Sequence, residues 1–422
     1  MTATDDRLAW WREATFGVFI HWGLYSMMGG RWKGRLYERG YAEWIQCDAK
    51  VPTDEYEKLA AEFNPTAFDA RAWARLFRRS GARYVCITAK HHDGFALFKS
   101  NASDFNVVDA SPFGRDVVRE LADAVRAEGM RFCFYYSQIK DWHEPDAAGN
   151  NWDWPGERDH QSYLDRKALP QLRELLTGYG PIGLIWFDTP QNLTEEQAET
   201  IRDLVRECQP DCLLNGRLYP DRRAADYASA DDNGVVEGVQ AEPWELPSTI
   251  AGGPDPTWGY RENQVWRSAD ELVFELVDVV SKGGNLLLNV GPLGDGSIHP
   301  NDAERFRAVG DWLSVNGDAI YGASSTPFGD ELQERRRRYT RKAGRLYVHL
   351  VEWPKDGALR LPAAHRQPVP AAHLIMPDGR VPLAVSRDNA EWKVALPEQP
   401  PRIMPAVVAL ETYAVNGKDE TE

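Results

Sequence analysis

Short apolar, β-branched runs alternate with helical stretches from residue 10 to about residue 325, and this alternation limits the fold more than any other feature of the chain. Repeated βα units of this kind build a parallel sheet covered by helices. The strand candidates are residues 16–21 (FGVFIH), 84–88 (YVCIT), 131–137 (RFCFYYS), 183–188 (GLIWFD), 212–215 (CLLN) and 285–290 (NLLLNV), with two weaker strands near Asp226 and Glu242. Helix ends are marked between them. Residues 112–127 stop before Gly129, Thr194 with Gln197 reads as a capping box whose helix ends before Pro210, and Ser268 with Glu271 repeats that device. The prediction is an α/β fold, a (β/α)8-like, TIM-type barrel that is irregular from its fifth to its seventh strand.

After Tyr321 the pattern changes to alternating segments, 346–350, 372–376 and 406–410, divided by Pro and Gly turns. That predicts a small antiparallel β-sandwich. A chain of 422 residues suits such a pair, and the expected division is residues 1–325 for the barrel and 326–422 for the sandwich. The basic run at 335–338 follows Glu331 and Glu334 and is expected to be a solvated linker. Five cysteines, without CxxC spacing, are expected to be buried reduced thiols.

A formal net charge of -15 argues against a nucleic-acid partner, and against acidic polysaccharides unless a local basic pocket exists. A neutral substrate is expected. No stretch approaches the roughly 18 consecutive apolar residues of a membrane span, so a membrane partner is not expected. The opening residues lack the basic and apolar regions of a secretory signal, which predicts a cytoplasmic protein; homo-oligomerisation is left open.

In such a barrel the chemistry lies where the strands end. There the chain presents His21-Trp22-Gly23, then Lys90-His91-His92-Asp93, then Tyr135-Tyr136-Ser137, then Trp186 and Asp188, then Asn215 and Arg217. Trp186 and Asp188 are two residues apart and share a strand face. A carboxylate beside an aromatic wall suits sugar chemistry, the carboxylate attacking an anomeric carbon while the ring stacks on the sugar. Asp188 is therefore the expected nucleophile of a retaining glycoside hydrolase. His91-His92 lacks the His-x-His spacing of strand metal sites and is expected to donate hydrogen bonds to sugar hydroxyls.

These segments, together with Ala42-Glu43-Trp44 and the GGNLLLNVGP stretch at 283–292, resemble those of the α-L-fucosidases, family 29 of the glycoside hydrolases. The resemblance runs in order from residue 9 to about 325. It implies a retaining exo-fucosidase with a covalent fucosyl-enzyme intermediate on Asp188, acting on an oligosaccharide or glycoconjugate with terminal fucose and using no metal or other cofactor. Carried over position by position, it implies a fucose pocket of His21, Glu43, Trp44, His91, His92, Tyr136, Trp186 and Arg217, with Trp258 on the C5-methyl side. Two alternatives stand beside it: a glycosidase of the same fold acting on another sugar, such as a galactoside, and a fucose-binding pseudoenzyme.

The second carboxyl is where the pattern departs from the resemblance. Many members carry a glutamate five residues after an aspartate; the similar stretch here is Asp226-Tyr227-Ala228-Ser229-Ala230-Asp231-Asp232-Asn233. Strict spacing selects Asp231, an acid directly before Asn233 selects Asp232, and Glu237, Glu242, Glu245 and Glu43 remain alternatives for the acid/base.

Overall fold

The computed structural model describes residues 6–37, 40–221, 224–328, 337–363, 369–402 and 404–411. Its central sheet has eight parallel strands: β1 Phe16–Ile20, β2 Tyr84–Lys90, β3 Arg131–Tyr136, β4 Leu184–Phe187, β5 Leu213–Leu214, β6 Ala228–Ser229, β7 Trp244–Thr249 and β8 Gly284–Val290. They pair in the order β5-β4-β3-β2-β1-β8-β7-β6. This is a (β/α)8-like barrel whose ladder, among the described residues, is open between β5 and β6. There the Asn215 side chain donates to Ser229 Oγ (3.2 Å) and the Asp226 N–H to the Leu214 carbonyl (2.9 Å).

Six longer helices cover the sheet: α1 Ala70–Arg79, α2 Val117–Ala127, α3 Leu169–Gly178, α4 Glu195–Cys208, α5 Ala269–Ser281 and α6 Pro300–Asn316. Both expected capping boxes are formed, at α4 and α5. Helix α2 starts five residues later than expected, because the Asp116 carboxylate accepts from the Arg119 N–H (2.8 Å) and caps it there.

Strand alternation sorts the barrel side chains. Phe19, Tyr84, Tyr135, Leu184, Trp186, Leu213 and Leu287 fill the interior, while Val18, Phe134, Ile185, Phe187 and Leu288 pack under the helices. Glu245, on β7, is buried at the centre of the interior and accepts hydrogen bonds from Trp11, Tyr84, Trp186 and Tyr227.

The antiparallel part follows: β9 Arg337–Lys342, β10 Arg345–Leu350, β11 Ala358–Pro362, β12 Ala372–Met376, β13 Gly379–Leu383, β14 Val385–Asp388, β15 Glu391–Ala395 and β16 Ala406–Leu410. A five-stranded sheet, β9-β10-β16-β12-β13, faces a three-stranded one, β11-β15-β14. One correction concerns the basic run. Arg335 and Arg336 lie outside the described residues, but Arg337 and Arg338 belong to β9 rather than to a solvated linker. The Arg338 guanidinium donates to Asp278 (2.5 Å) and lies 5.1 Å from the Phe274 ring, which ties β9 to α5. Among the described residues no helix is long and apolar enough to cross a membrane.

Candidate active site

Asp188 leaves β4 at the strand end. Its Oδ1 accepts from the Thr189 N–H (2.8 Å) and from Arg217 Nη1 (3.2 Å), and its Oδ2 accepts from the Tyr135 hydroxyl (3.1 Å). His92 Nε2 lies 3.6 Å from Oδ2. The Asp188 N–H donates to Gln138 Oε1 (3.0 Å), so backbone and side chain are both held. One side of the carboxylate is left to the cavity, which is about 110 Å3 and is lined by His21, Glu43, Trp44, His91, Trp186 and Trp258, among others.

Arg217 links this carboxylate to a second one. Its Nη2 donates to Asp232 Oδ1 and to the Ala230 carbonyl (3.0 Å), and its guanidinium lies over the Trp186 ring, 4.7 Å from the centroid. Burial raises the Asp232 pKa, and the neighbouring Arg217 charge opposes the rise. The loop is fixed at the next residue. Asn233 takes a left-handed φ of 53°, and its Oδ1 accepts from the Thr249 N–H (2.8 Å), Thr249 Oγ1 (3.0 Å) and Ser248 Oγ (3.2 Å) of β7.

Of the candidates for the second carboxyl, the structure brings Asp232 to Asp188. Asp231, Glu237 and Glu242 are exposed and outside the cavity lining, and Glu245 lies beneath Trp186 with all its hydrogen bonds turned to the core. Glu43 lines the cavity but is already engaged. Its Oε2 accepts from the N–H groups of Gly259 (2.8 Å) and Trp258 (3.2 Å) and from Thr257 Oγ1 (3.3 Å). Burial pushes its carboxyl up to about 7, against those hydrogen bonds.

His21 and His92 present acceptors, which for His92 corrects the expectation of a donor. Asn289 Nδ2 donates to the Trp258 carbonyl (2.7 Å), so Asn289 Oδ1 faces His21 Nδ1 (2.7 Å), and that nitrogen carries the proton. Burial lowers the His21 pKa to about 3, more than the Asn289 bond raises it. The ring is neutral at pH 7, with Nε2 as a lone-pair acceptor. Ser137 Oγ donates to the Lys140 carbonyl (2.6 Å) and therefore accepts from His92 Nδ1 (2.7 Å), giving His92 the same tautomer. Both His91 and His92 lie past the end of β2, so the turn points both rings inward, 4.3 Å apart.

One expected residue is misplaced. Tyr136 points away from the cavity; its hydroxyl donates to Gln171 (2.8 Å) of α3 and its ring packs under the helices. Alternation already puts Tyr135 on the inner face, because β3 and β4 pair Tyr135 with Trp186. Phe19, two residues before His21, was legible by the same argument. Tyr41 and Thr189 also line the cavity from irregular backbone, where no periodicity marks them.

Two carboxylates joined through one arginine, at the strand ends of a barrel and among aromatic rings and histidines, form a site of the glycoside hydrolase class. Residues 2–318 match the α-L-fucosidase family model, and the chain belongs to that family. It is 31% identical to the human tissue α-L-fucosidase over 95% of this chain and 87% of that one. The crystal structure of a family 29 α-L-fucosidase from Bacteroides thetaiotaomicron superposes with a TM-score of 0.86 at 30% identity, covering 97% of this chain and 95% of that one. That enzyme has also been solved as a trapped covalent intermediate with 2-fluoro-fucosyl fluoride. The Lactobacillus casei enzyme solved with α-L-fucose is 37% identical, with a TM-score of 0.69 over 74% of this chain and 98% of its own.

Proposed function

We propose that this protein is a retaining exo-α-L-fucosidase that removes terminal fucose from an oligosaccharide or glycoconjugate, with Asp188 as nucleophile and Asp232 as acid/base. The observation that carries the reading is the Arg217 bridge. A guanidinium fork reaches two carboxylates only when they are close, as the separation of about 5 to 5.5 Å in retaining enzymes requires. Asp188 attacks the anomeric carbon as protonated Asp232 gives its proton to the leaving oxygen. Ionised Asp232 then takes a proton from water, which attacks the fucosyl ester and frees Asp188. His21 offers a lone pair to a sugar hydroxyl, Glu43 takes another, and Trp44, Trp186 and Trp258 wall the ring. The trapped intermediate of the Bacteroides enzyme supports a covalent route in a relative of this chain.

The test uses azide with an activated aryl α-L-fucoside. Asp188→Gly abolishes hydrolysis, and azide restores turnover to the inverted β-fucosyl azide. Asp232→Ala is rescued to the retained α-azide instead and loses the alkaline limb of its pH profile, because only the protonated acid works and burial raises its pKa. Full activity in Asp188→Gly would sink the mechanism; the retained azide from Asp231→Ala but not from Asp232→Ala would move the acid by one residue.

A further inference from the structure

Lys140 stands four residues beyond β3, on the same end of the barrel as Asp188. It is held along its length. Its backbone bridges to Ala148, its carbonyl accepts from Ser137 Oγ (2.6 Å), and its stem runs beneath Gly149, where an added Cβ would come within 2.9 Å of Lys140 Cγ. Gly149 has a φ of 103°, so lack of a side chain serves both its backbone and the lysine below. The ammonium ends 4.4 Å from the centroid of Trp44, a wall of the fucose pocket.

What sets Lys140 apart is its charge balance. The nearby Lys90 and Lys167 are buried against Asp141, at 3.1 and 3.0 Å. The Lys140 ammonium has no hydrogen bond or ion pair among the described residues, although it is half-buried and the chain has 64 acidic against 49 basic residues. Burial lowers its pKa, while the charge of Asp188 reaches it and acts in the opposite sense. Neutral hydroxyls are already served by His21 and Glu43. A pinned, half-desolvated cation with no anionic partner among the described residues suits an anion, through the charge-assisted bonds that N–H donors make to oxygen anions.

We propose that Lys140 and Trp44 form a position at the pocket rim for an anionic substituent of the substrate, a sulfate ester or a carboxylate. The proposal rests on the fucosidase reading and names the class of fucoside the site takes. With a net charge of -15 the molecule repels polyanions at long range, so recognition is confined to one negative group at short range. The group is carried either by the sugar that leaves or by fucose itself, and the assay separates the two.

The experiment compares wild type, Lys140→Gln and Lys140→Arg on neutral 4-nitrophenyl α-L-fucoside, on 3-carboxyphenyl α-L-fucoside against its methyl ester, and on the monosulfated 4-nitrophenyl fucosides. In wild type, one anionic set is expected to exceed its neutral counterpart in kcat/KM, with the excess shrinking in high salt. In Lys140→Gln the loss on that set exceeds the loss on the neutral substrate by about tenfold or more, as a charge-assisted bond allows, and Lys140→Arg restores most of it. A preference for the carboxylate places the group on the aglycone; a preference for a sulfate places it on fucose. Equal losses on neutral and anionic substrates, or no anionic preference in wild type, would overturn the proposal. Failure to turn over even neutral 4-nitrophenyl fucoside would instead overturn the fucosidase reading.

Discussion

Four donors converge on the Glu245 carboxylate. Trp186 Nε1 (3.0 Å) and the Tyr227 hydroxyl (3.3 Å) donate to Oε1; the Tyr84 hydroxyl (2.6 Å) and Trp11 Nε1 (3.4 Å) donate to Oε2. Burial pushes this carboxyl up to about 7, in spite of the bonds that favour its charge. Glu245 touches no substrate position, yet it holds Trp186, and the Trp186 ring carries the arginine that joins Asp188 to Asp232. Glu245→Gln turns an NH2 group toward one of the two pairs. Either pair contains an indole N–H, which cannot reverse its role as a tyrosine hydroxyl can. The expected result is a loss of about 1 to 3 kcal/mol of stability from the unsatisfied donor. A fall in kcat should accompany it as Trp186 shifts; denaturant unfolding and aryl-fucoside kinetics measure both, and a variant equal to wild type in both would refute the argument. At this scale the sequence was legible where alternation applies. Asp188, Trp186 and His21 follow from counting along a strand, and the same count points to Tyr135 rather than Tyr136. Asp232 was not separable from Asp231, because the turn at Asn233 and its bonds to β7, which decide the matter, link residues that periodicity does not relate.

Among the elements, strands with apolar or β-branched runs were readable to within a residue or two, and β7, expected only as a weaker strand near Glu242, begins at Trp244. Its sequence, WELPST, contains a glutamate and a proline that argue against a buried central strand. The structure explains both. Glu245 is satisfied by its four donors, and the Pro247 carbonyl, on the side where a backbone N–H would also lie, accepts from Asn233 beyond the end of the two-residue β6. No ladder bond is lost. The packing of α6 on the end of α1 is another relation absent from local pattern. A Cβ built on Gly310 would lie 2.0 Å from the Arg79 carbonyl oxygen and 2.9 Å from Ser80 Cα. Helix propensity alone favours Gly310→Ala by about 1 kcal/mol. Overpacking against backbone that cannot turn aside costs about 1 to 3 kcal/mol or more and wins. The variant should therefore unfold at lower urea than wild type, and an unchanged or raised midpoint would show that the helices separate without cost.

On the scale of the whole molecule, β10 and β16 of the five-stranded sheet are buried on both faces, which is why LYVHL in β10 reads as almost continuously apolar. Leu346 and Val348 pack into the sandwich, whereas Tyr347 joins the barrel's core. His349 shares the face of Tyr347, its ring 6.2 Å from that of Trp312 on α6, and Trp312 Nε1 donates to the Pro405 carbonyl (2.9 Å). Thr340 Oγ1 gives its proton to the Ala319 carbonyl (2.7 Å) and so accepts from His349 Nε2 (2.9 Å), while His349 Nδ1 is buried without a partner among the described residues. Burial lowers the His349 pKa to about 3 from 6.5. The unfolded chain therefore binds this proton first as pH falls. The stability held by neutral His349 is complete above pH 6.5 and is lost progressively toward pH 3, at roughly 1.4 kcal/mol per unit. The other buried histidines and carboxyls titrate alike in wild type and in His349→Gln, so the difference between the two isolates this group. Between pH 7 and pH 5 wild type should lose roughly 2 kcal/mol more unfolding free energy than the variant. Parallel stability curves over that interval would show that acid does not act on the contact between sandwich and barrel through His349. A gap that opens as pH falls would show that protonation of His349 weakens that contact, on a face of α6 remote from Asp188.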